Sequence, residues 1–128
     1  AGVRLAANFS GILKPYGLNV QEWRVLAVLH AHGAQRMSSL AELTSIDRTT
    51  LSRLTARMAA VALITRSRTD DDGREVRIAM SSKGQAVTDQ LVPHAQRYEE
   101  VAVADLSDRE IIALKGMLAK IYGNLDKL

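Results

Sequence analysis

Ile46-Asp47-Arg48-Thr49-Thr50-Leu51-Ser52-Arg53-Leu54, followed by the alternating residues 64–68 and 76–80, is the most informative part of the chain. Asp47 is a good N-cap, because a carboxylate there accepts from the unpaired N–H groups of a helix's first turn. Beyond it, Leu51, Leu54, Met58 and Val61 recur at helical spacing and predict a buried stripe. At about 100° per residue, the opposite face carries Thr49, Ser52, Arg53, Ala56, Ala59 and Ala60, with Arg48 and Arg57 on its flanks. One side of this helix is apolar and the other basic and hydroxyl-bearing. Residues 64–68 and 76–80 each alternate apolar and polar side chains around Thr69-Asp70-Asp71-Asp72-Gly73-Arg74, which predicts a two-stranded ribbon with a long tip.

Just upstream, Ser38-Ser39-Leu40-Ala41-Glu42 reads as a capping box, with Ser39 and Glu42 satisfying each other's backbone N–H groups and opening a short helix that ends at Leu43 or Thr44. Two short helices joined by a tight Thr44-Ser45-Ile46 turn, the second bearing arginines and followed at once by a ribbon, give the order of a winged helix-turn-helix. A helix about 10–12 Å across fits the B-DNA major groove, about 12 Å wide. An Arg at the ribbon tip suits the neighbouring minor groove, where negative potential is concentrated.

The flanks are helical. Residues 3–14 have helical spacing and are predicted to stop at Pro15; Gly17 then opens a turn. A largely apolar helix through Trp23, Val25, Leu26, Val28 and Leu29 starts at Asn19 or Val20 and ends at Gly33, which supplies a positive φ. Ser81 or Ser82 caps a long helix through Val87, Leu91, Ala95, Tyr98 and Ala102, in which Pro93 predicts a kink. Ser107-Asp108-Arg109-Glu110 is a second capping box, opening a last helix through Ile111, Leu114, Leu118, Ile121 and Leu125. The fold class is mainly α: a winged helix-turn-helix over residues 35–80 within a single 1–128 domain, flanked by helices in residues 1–18 and 82–128.

Composition narrows the function. At 128 residues there is room for one domain and no separate cofactor domain. The net charge of +3 is undiagnostic, but residues 47–68 hold five arginines and no lysine against one acid. Arg suits bidentate contact with phosphate or guanine, although a solvated helix face accounts for the charge equally well. With no cysteine, thiol catalysis and thiol switching are excluded. No apolar stretch approaches the length of a membrane span, and without an export signal a cytoplasmic location is expected. There is no nucleophile motif, phosphate-binding Gly loop or metal-ligand spacing, so neither an enzyme, a cofactor nor a metal is expected. His30 and His32 lie two apart and face different ways; their plainer role is at the negative end of a helix dipole.

Gln21-Glu22-Trp23-Arg24-Val25-Leu26, the 46–54 stretch and Asp72-Gly73-Arg74 followed by Met80-Ser81 and Gly84 together resemble the multiple antibiotic resistance regulator (MarR) family of bacterial transcription factors. Ala62 stands where that family usually has Gly, and Met80-Ser81 replaces the more common Leu-Thr. The resemblance implies a homodimer joined through the first, fifth and sixth helices, which binds an inverted-repeat operator in double-stranded DNA and acts as a repressor released by a small aromatic or anionic effector. On this reading Ser52, Arg53, Arg48 and Thr49 contact bases or phosphates, Thr50 packs or touches a phosphate, and Arg57 clamps a phosphate or else pairs within its own helix with the neighbours of Arg53. Ser38 or Ser39 is a further phosphate donor, although capping alone would explain both. Arg74 enters the minor groove and Asp72 braces it. Trp23, His30 and His94 are candidate pocket residues, Trp23 being better explained as core. The competing reading is a winged helix that serves protein interaction without specific DNA binding.

Overall fold

The computed structural model of the chain describes residues 9–68 and 75–125, with backbone only at 122 and 125. The ribbon tip, with Asp72 and Arg74, lies outside the described residues. Residues 9–13 form helix α1 and lead into a 3-10 turn, Lys14–Tyr16. Then come α2 (Val20–His32), β1 (Gln35–Arg36), α3 (Met37–Thr44), α4 (Arg48–Ala60), β2 (Ile64–Arg68), β3 (Val76–Met80), α5 (Ser82–Ala102) and α6 (Asp108–Leu125). Pro15 follows the end of α1 at Leu13, close to where it is predicted to stop the helix. It sits in the first turn of the 3-10 segment, where a missing N–H is tolerated, and the chain reverses at Gly17 with φ 71°.

Caps fix most of the remaining boundaries. Asn19 and Glu22 form a reciprocal box at the start of α2, with bonds of 2.8 and 3.0 Å, and Gly33 closes that helix at φ 77°. Ser107 and Glu110 do the same for α6. The Ser39–Glu42 box does not form. Helix α3 begins earlier, at Met37, with Arg36 as an N-cap that makes no side-chain bond. The Ser38 N–H of its first turn is satisfied from elsewhere in the fold, by Glu75.

The ribbon gains a strand. β1 pairs antiparallel with β3, giving a three-stranded sheet in the order β1-β3-β2. Two residues carry no periodicity, so this pairing had no local signal. The β2–β3 hairpin has the predicted limits, with Ile64 opposite Met80 and Arg68 opposite Val76.

Two compact units divide the chain, Ala1–Ala95 and Gln96–Leu128. The first is built on a core that includes Leu26, Leu40, Leu51, Leu54, Met58 and Ile78. Val61 does not belong to it: it is the C-cap of α4 and 52% exposed. Thr55 instead completes the buried stripe, its hydroxyl donating to the Leu51 carbonyl at 2.8 Å. At the corner after α4, Ala62 takes φ 65°, in the left-handed region. Its carbonyl accepts from the Ser81 hydroxyl, which also caps α5 by accepting from Gly84 N–H at 2.9 Å. Gly84 is required there, because a Cβ would lie 2.0 Å from the Leu63 carbonyl oxygen.

In the second unit, no described side chain is buried. Lys115 and Glu99 form an exposed ion pair at 3.3 Å, while Met117, Leu118 and Ile121 of α6 are open to solvent.

Candidate nucleic-acid interface

Helix α4 is held by its inner face and presents its outer one. Leu51, Leu54, Thr55 and Met58 are buried, whereas Arg48, Thr49, Ser52, Arg53, Ala56 and Arg57 are exposed. Its N-terminus is fixed by Asp47, which accepts from Thr50 N–H at 2.9 Å and from the Thr50 hydroxyl at 2.6 Å. These bonds, the side-chain one foremost, and the more distant Arg53 guanidinium hold the Asp47 carboxyl below the usual carboxylate range. Thr50 thus has its hydroxyl proton engaged within the cap. Arg53 and Arg57 make no ion pair among the described residues. With Thr50 and Ala56 they line an open concavity on the helix surface. Such a face can place guanidiniums and hydroxyls against a phosphate backbone or base edges.

The α3–α4 connection is short because Ser45 adopts φ 58° and Thr44 turns back on the chain. The Thr44 hydroxyl donates to the Leu40 carbonyl at 2.7 Å and accepts from Ile46 N–H at 3.3 Å. Arg24 of α2 donates to the Thr44 carbonyl at 3.2 Å, binding the turn to the central helix.

Glu75, just before β3, joins the sheet to both helices. It accepts from the Ser38 N–H at 3.2 Å and from the Ser38 hydroxyl. Arg36 of β1 and Arg48 of α4 approach its two carboxylate oxygens at 3.9 and 4.0 Å. The Ser38 bonds, hydroxyl first, and then the two guanidiniums hold the Glu75 carboxyl below the usual range. Both donors of Ser38 are therefore turned toward Glu75 in this arrangement. Sequence reasoning missed Glu75, which lies 37 residues from Ser38 and has no local pattern to mark it.

The three pocket candidates are separately placed. Trp23 is half-buried and packs edge-on against Phe9, with ring centroids 6.0 Å apart. His30 is exposed near the end of α2, with Nδ1 3.4 Å from Gln85 Nε2, and His94 is exposed on α5. Among the described residues no group of three or more His, Asp or Glu side chains is arranged to hold a metal ion.

A tight helix-turn-helix with a basic outer helix, flanked by the strands of a three-stranded sheet, defines a winged helix of the DNA-binding kind. A model of the MarR family, whose members are transcription regulators, matches residues 16–75 of the chain. It is similar to the transcriptional repressor NicR of Pseudomonas putida, 27% identical over 96 residues, which span 75% of this chain and 61% of NicR. It is also similar to the regulator MgrA of Staphylococcus aureus, 29% identical over 117 residues, 91% of this chain and 78% of MgrA. In fold it resembles AbsC, a MarR family regulator from Streptomyces coelicolor, with TM-score 0.86, 23% identity and coverage of 99% and 88% of the two chains. MepR of S. aureus, solved as a DNA complex, gives 0.85, 20% identity and coverage of 97% and 91%. BpsR of Bordetella bronchiseptica, whose DNA binding is regulated by 6-hydroxynicotinic acid, gives 0.75, 24% identity and 93% of each chain. No described helix is long and apolar enough to cross a membrane.

Proposed function

We propose that this chain is a sequence-specific repressor that binds an inverted repeat in double-stranded DNA as a homodimer, with half-sites about 10 bp apart. The observation that carries the reading is the outer face of α4, where Thr49, Ser52, Arg53 and Arg57 are exposed on a helix anchored by its opposite side. Arg53 and Ser52 read bases or phosphates, Thr49 and Arg48 act where the helix N-terminus enters the groove, and Arg57 clamps a phosphate. Arg74 reaches the minor groove with Asp72 bracing it. Thr50 and Ser38 support the contact surface through Asp47 and Glu75. The domain runs over 1–128, with 35–80 on DNA and residues 1–18 and 82–128 joining the subunits. A second unit with no buried side chain among the described residues supports the dimer, since its apolar surface needs a cover.

A small aromatic or anionic effector, bound near Trp23, His30 and His94, releases the dimer by favouring a spacing of recognition helices that does not match successive grooves. The name of NicR and the regulation of BpsR support repression and effector control. A DNA target supports a cytoplasmic location. Selection of bound sites from random duplexes at low salt, repeated with aromatic acids present, tests this reading. The expected result is a palindrome whose recovery drops with one of the acids. Recovery of no enriched sequence would leave a protein-interaction module in its place.

A further inference from the structure

We infer that Lys83, in the first turn of α5, is a positioning residue for DNA reading: its ammonium holds the C-terminal end of α4 and sets the place from which Arg53 and Arg57 meet the duplex. The inference rests on the DNA-binding reading above and adds to it a residue that acts through α4 rather than on DNA.

A lysine is poorly placed in its own helix there. Lys83 is the second residue of α5, whose first turn contains no acid, and a cation beside the positive end of a helix dipole is unfavourable. The ammonium serves another helix instead. Lys83 Nζ donates to the Val61 carbonyl at 2.8 Å. Val61 is the C-cap of α4, at the negative end of that helix's dipole, where a cation is favoured. Lys83 makes no ion pair among the described residues, so no carboxylate there draws it away.

The contact completes a set of three. Within the end of α4 the carbonyls of Arg57, Met58 and Ala59 are met by the following backbone, accepting from the N–H groups of Val61, Leu63 and Ala62 at 3.2, 3.0 and 3.0 Å. Beyond it, the carbonyls of Val61, Ala62 and Leu63 are met in turn by Lys83 Nζ, the Ser81 hydroxyl and the Ser81 N–H. Two residues at the start of α5 therefore take three successive carbonyls at the exit of α4. Gly84 permits so close an approach, because a Cβ there would strike the Leu63 carbonyl. Ser81 braces the corner after the helix, whereas Lys83 grips the cap residue itself.

The gripped end is the one that carries the reading side chains. Val61 lies about one helical turn beyond Arg57 and about two beyond Arg53, and both arginines are exposed and line the concavity on α4. Asp47 fixes the opposite end of the helix. Without Lys83 the last turn frays and the Arg57 guanidinium loses its fixed place, while every guanidinium of α4 remains to attract phosphate.

The test measures the affinity of the full chain for two fluorescent duplexes, one carrying the palindrome recovered by selection and one scrambled, from about 50 to 200 mM salt. Lys83→Met keeps the apolar stem and removes the donor. It should bind the selected duplex about fivefold more weakly, as for the loss of one hydrogen bond. Its affinity for the scrambled duplex, and the salt dependence there, should match the parent's, because no phosphate contact is lost. Lys83→Arg should restore binding to the selected duplex. Arg57→Ala should cost less affinity in the Lys83→Met background than in the parent, since the two residues act as one unit. Thermal melting should show the Lys83 variants folded. A salt slope lowered by about 0.9 on both duplexes would make Lys83 a phosphate contact and overturn the positioning role. Full affinity of a folded Lys83→Met protein for the selected duplex overturns it too, and so do strictly additive losses for Lys83 and Arg57. If the parent itself binds neither duplex, the DNA-binding reading fails and the role of Lys83 falls with it.

Discussion

Ala62 and Gly84 lie at the corner that joins the recognition helix to the sheet, and only Gly84 suits its place there. Ala62 carries a Cβ at φ 65°, where an L-residue pays about 1–2 kcal/mol. Gly84 lacks one where the Leu63 carbonyl leaves no room. Ala62→Gly should therefore raise stability by about 0.5 kcal/mol, the relief of strain outweighing the added freedom of the unfolded chain. Gly84→Ala should lower it by about 3 kcal/mol, because the atom it meets is backbone and cannot swing aside. Thermal melts of both variants check the pair, and a destabilised Ala62→Gly would show that the corner is not strained. In the sequence, Ala62 was visible only as a departure from a familial Gly. Its φ needed the structure, since helix end, carbonyl acceptor and strand start converge there from residues 61 to 84.

The elements whose ends were legible are those closed by their own residues. Asn19 with Glu22, Asp47 with Thr50 and Ser107 with Glu110 each act over three positions, a distance that sequence reading handles well. Helix α3 was misread because its first turn is completed by Glu75, brought to it from just before β3. For the same reason β1 was missed: its pairing partner is β3. Asp47, Glu75 and Glu110 nonetheless share one electrostatic logic. Hydrogen bonds from Thr50, Ser38 and Ser107 respectively hold each carboxyl below its ordinary value. The fold therefore favours their ionised forms, so their contribution is complete above the usual carboxylate range and is lost as pH falls through the lowered folded values. Melting temperature should be flat toward neutrality and decline on acidification. Glu75→Gln should melt below the parent at neutral pH, with the gap closing in acid, where the parent's Glu75 is itself protonated. A gap that stays constant across that range would show that the charge of Glu75 plays no part.

At the scale of the molecule, the contrast between the units determines what the chain can do alone. Unit Ala1–Ala95 closes a core around Leu26, Leu51 and Ile78, whereas unit Gln96–Leu128 leaves Met117, Leu118 and Ile121 in solvent. The apolar stripe of the last helix was legible from its spacing, but spacing alone cannot distinguish a stripe buried within a chain from one that needs a second copy. Exposure makes that distinction and carries the proposed dimer to a measurable consequence. Leu118→Glu with Ile121→Glu keeps good helix formers on α6 while setting four like charges across a twofold interface. Sedimentation should show the variant as a monomer where the parent is a dimer. Its affinity for a single half-site should be unchanged, because α4 and the sheet lie in the other unit. Affinity for the full palindrome should fall about 100-fold, the advantage of having two linked reading heads. If the variant stays dimeric, or a monomer binds the palindrome as tightly as the parent, the outward face of α6 is not what joins the subunits on DNA.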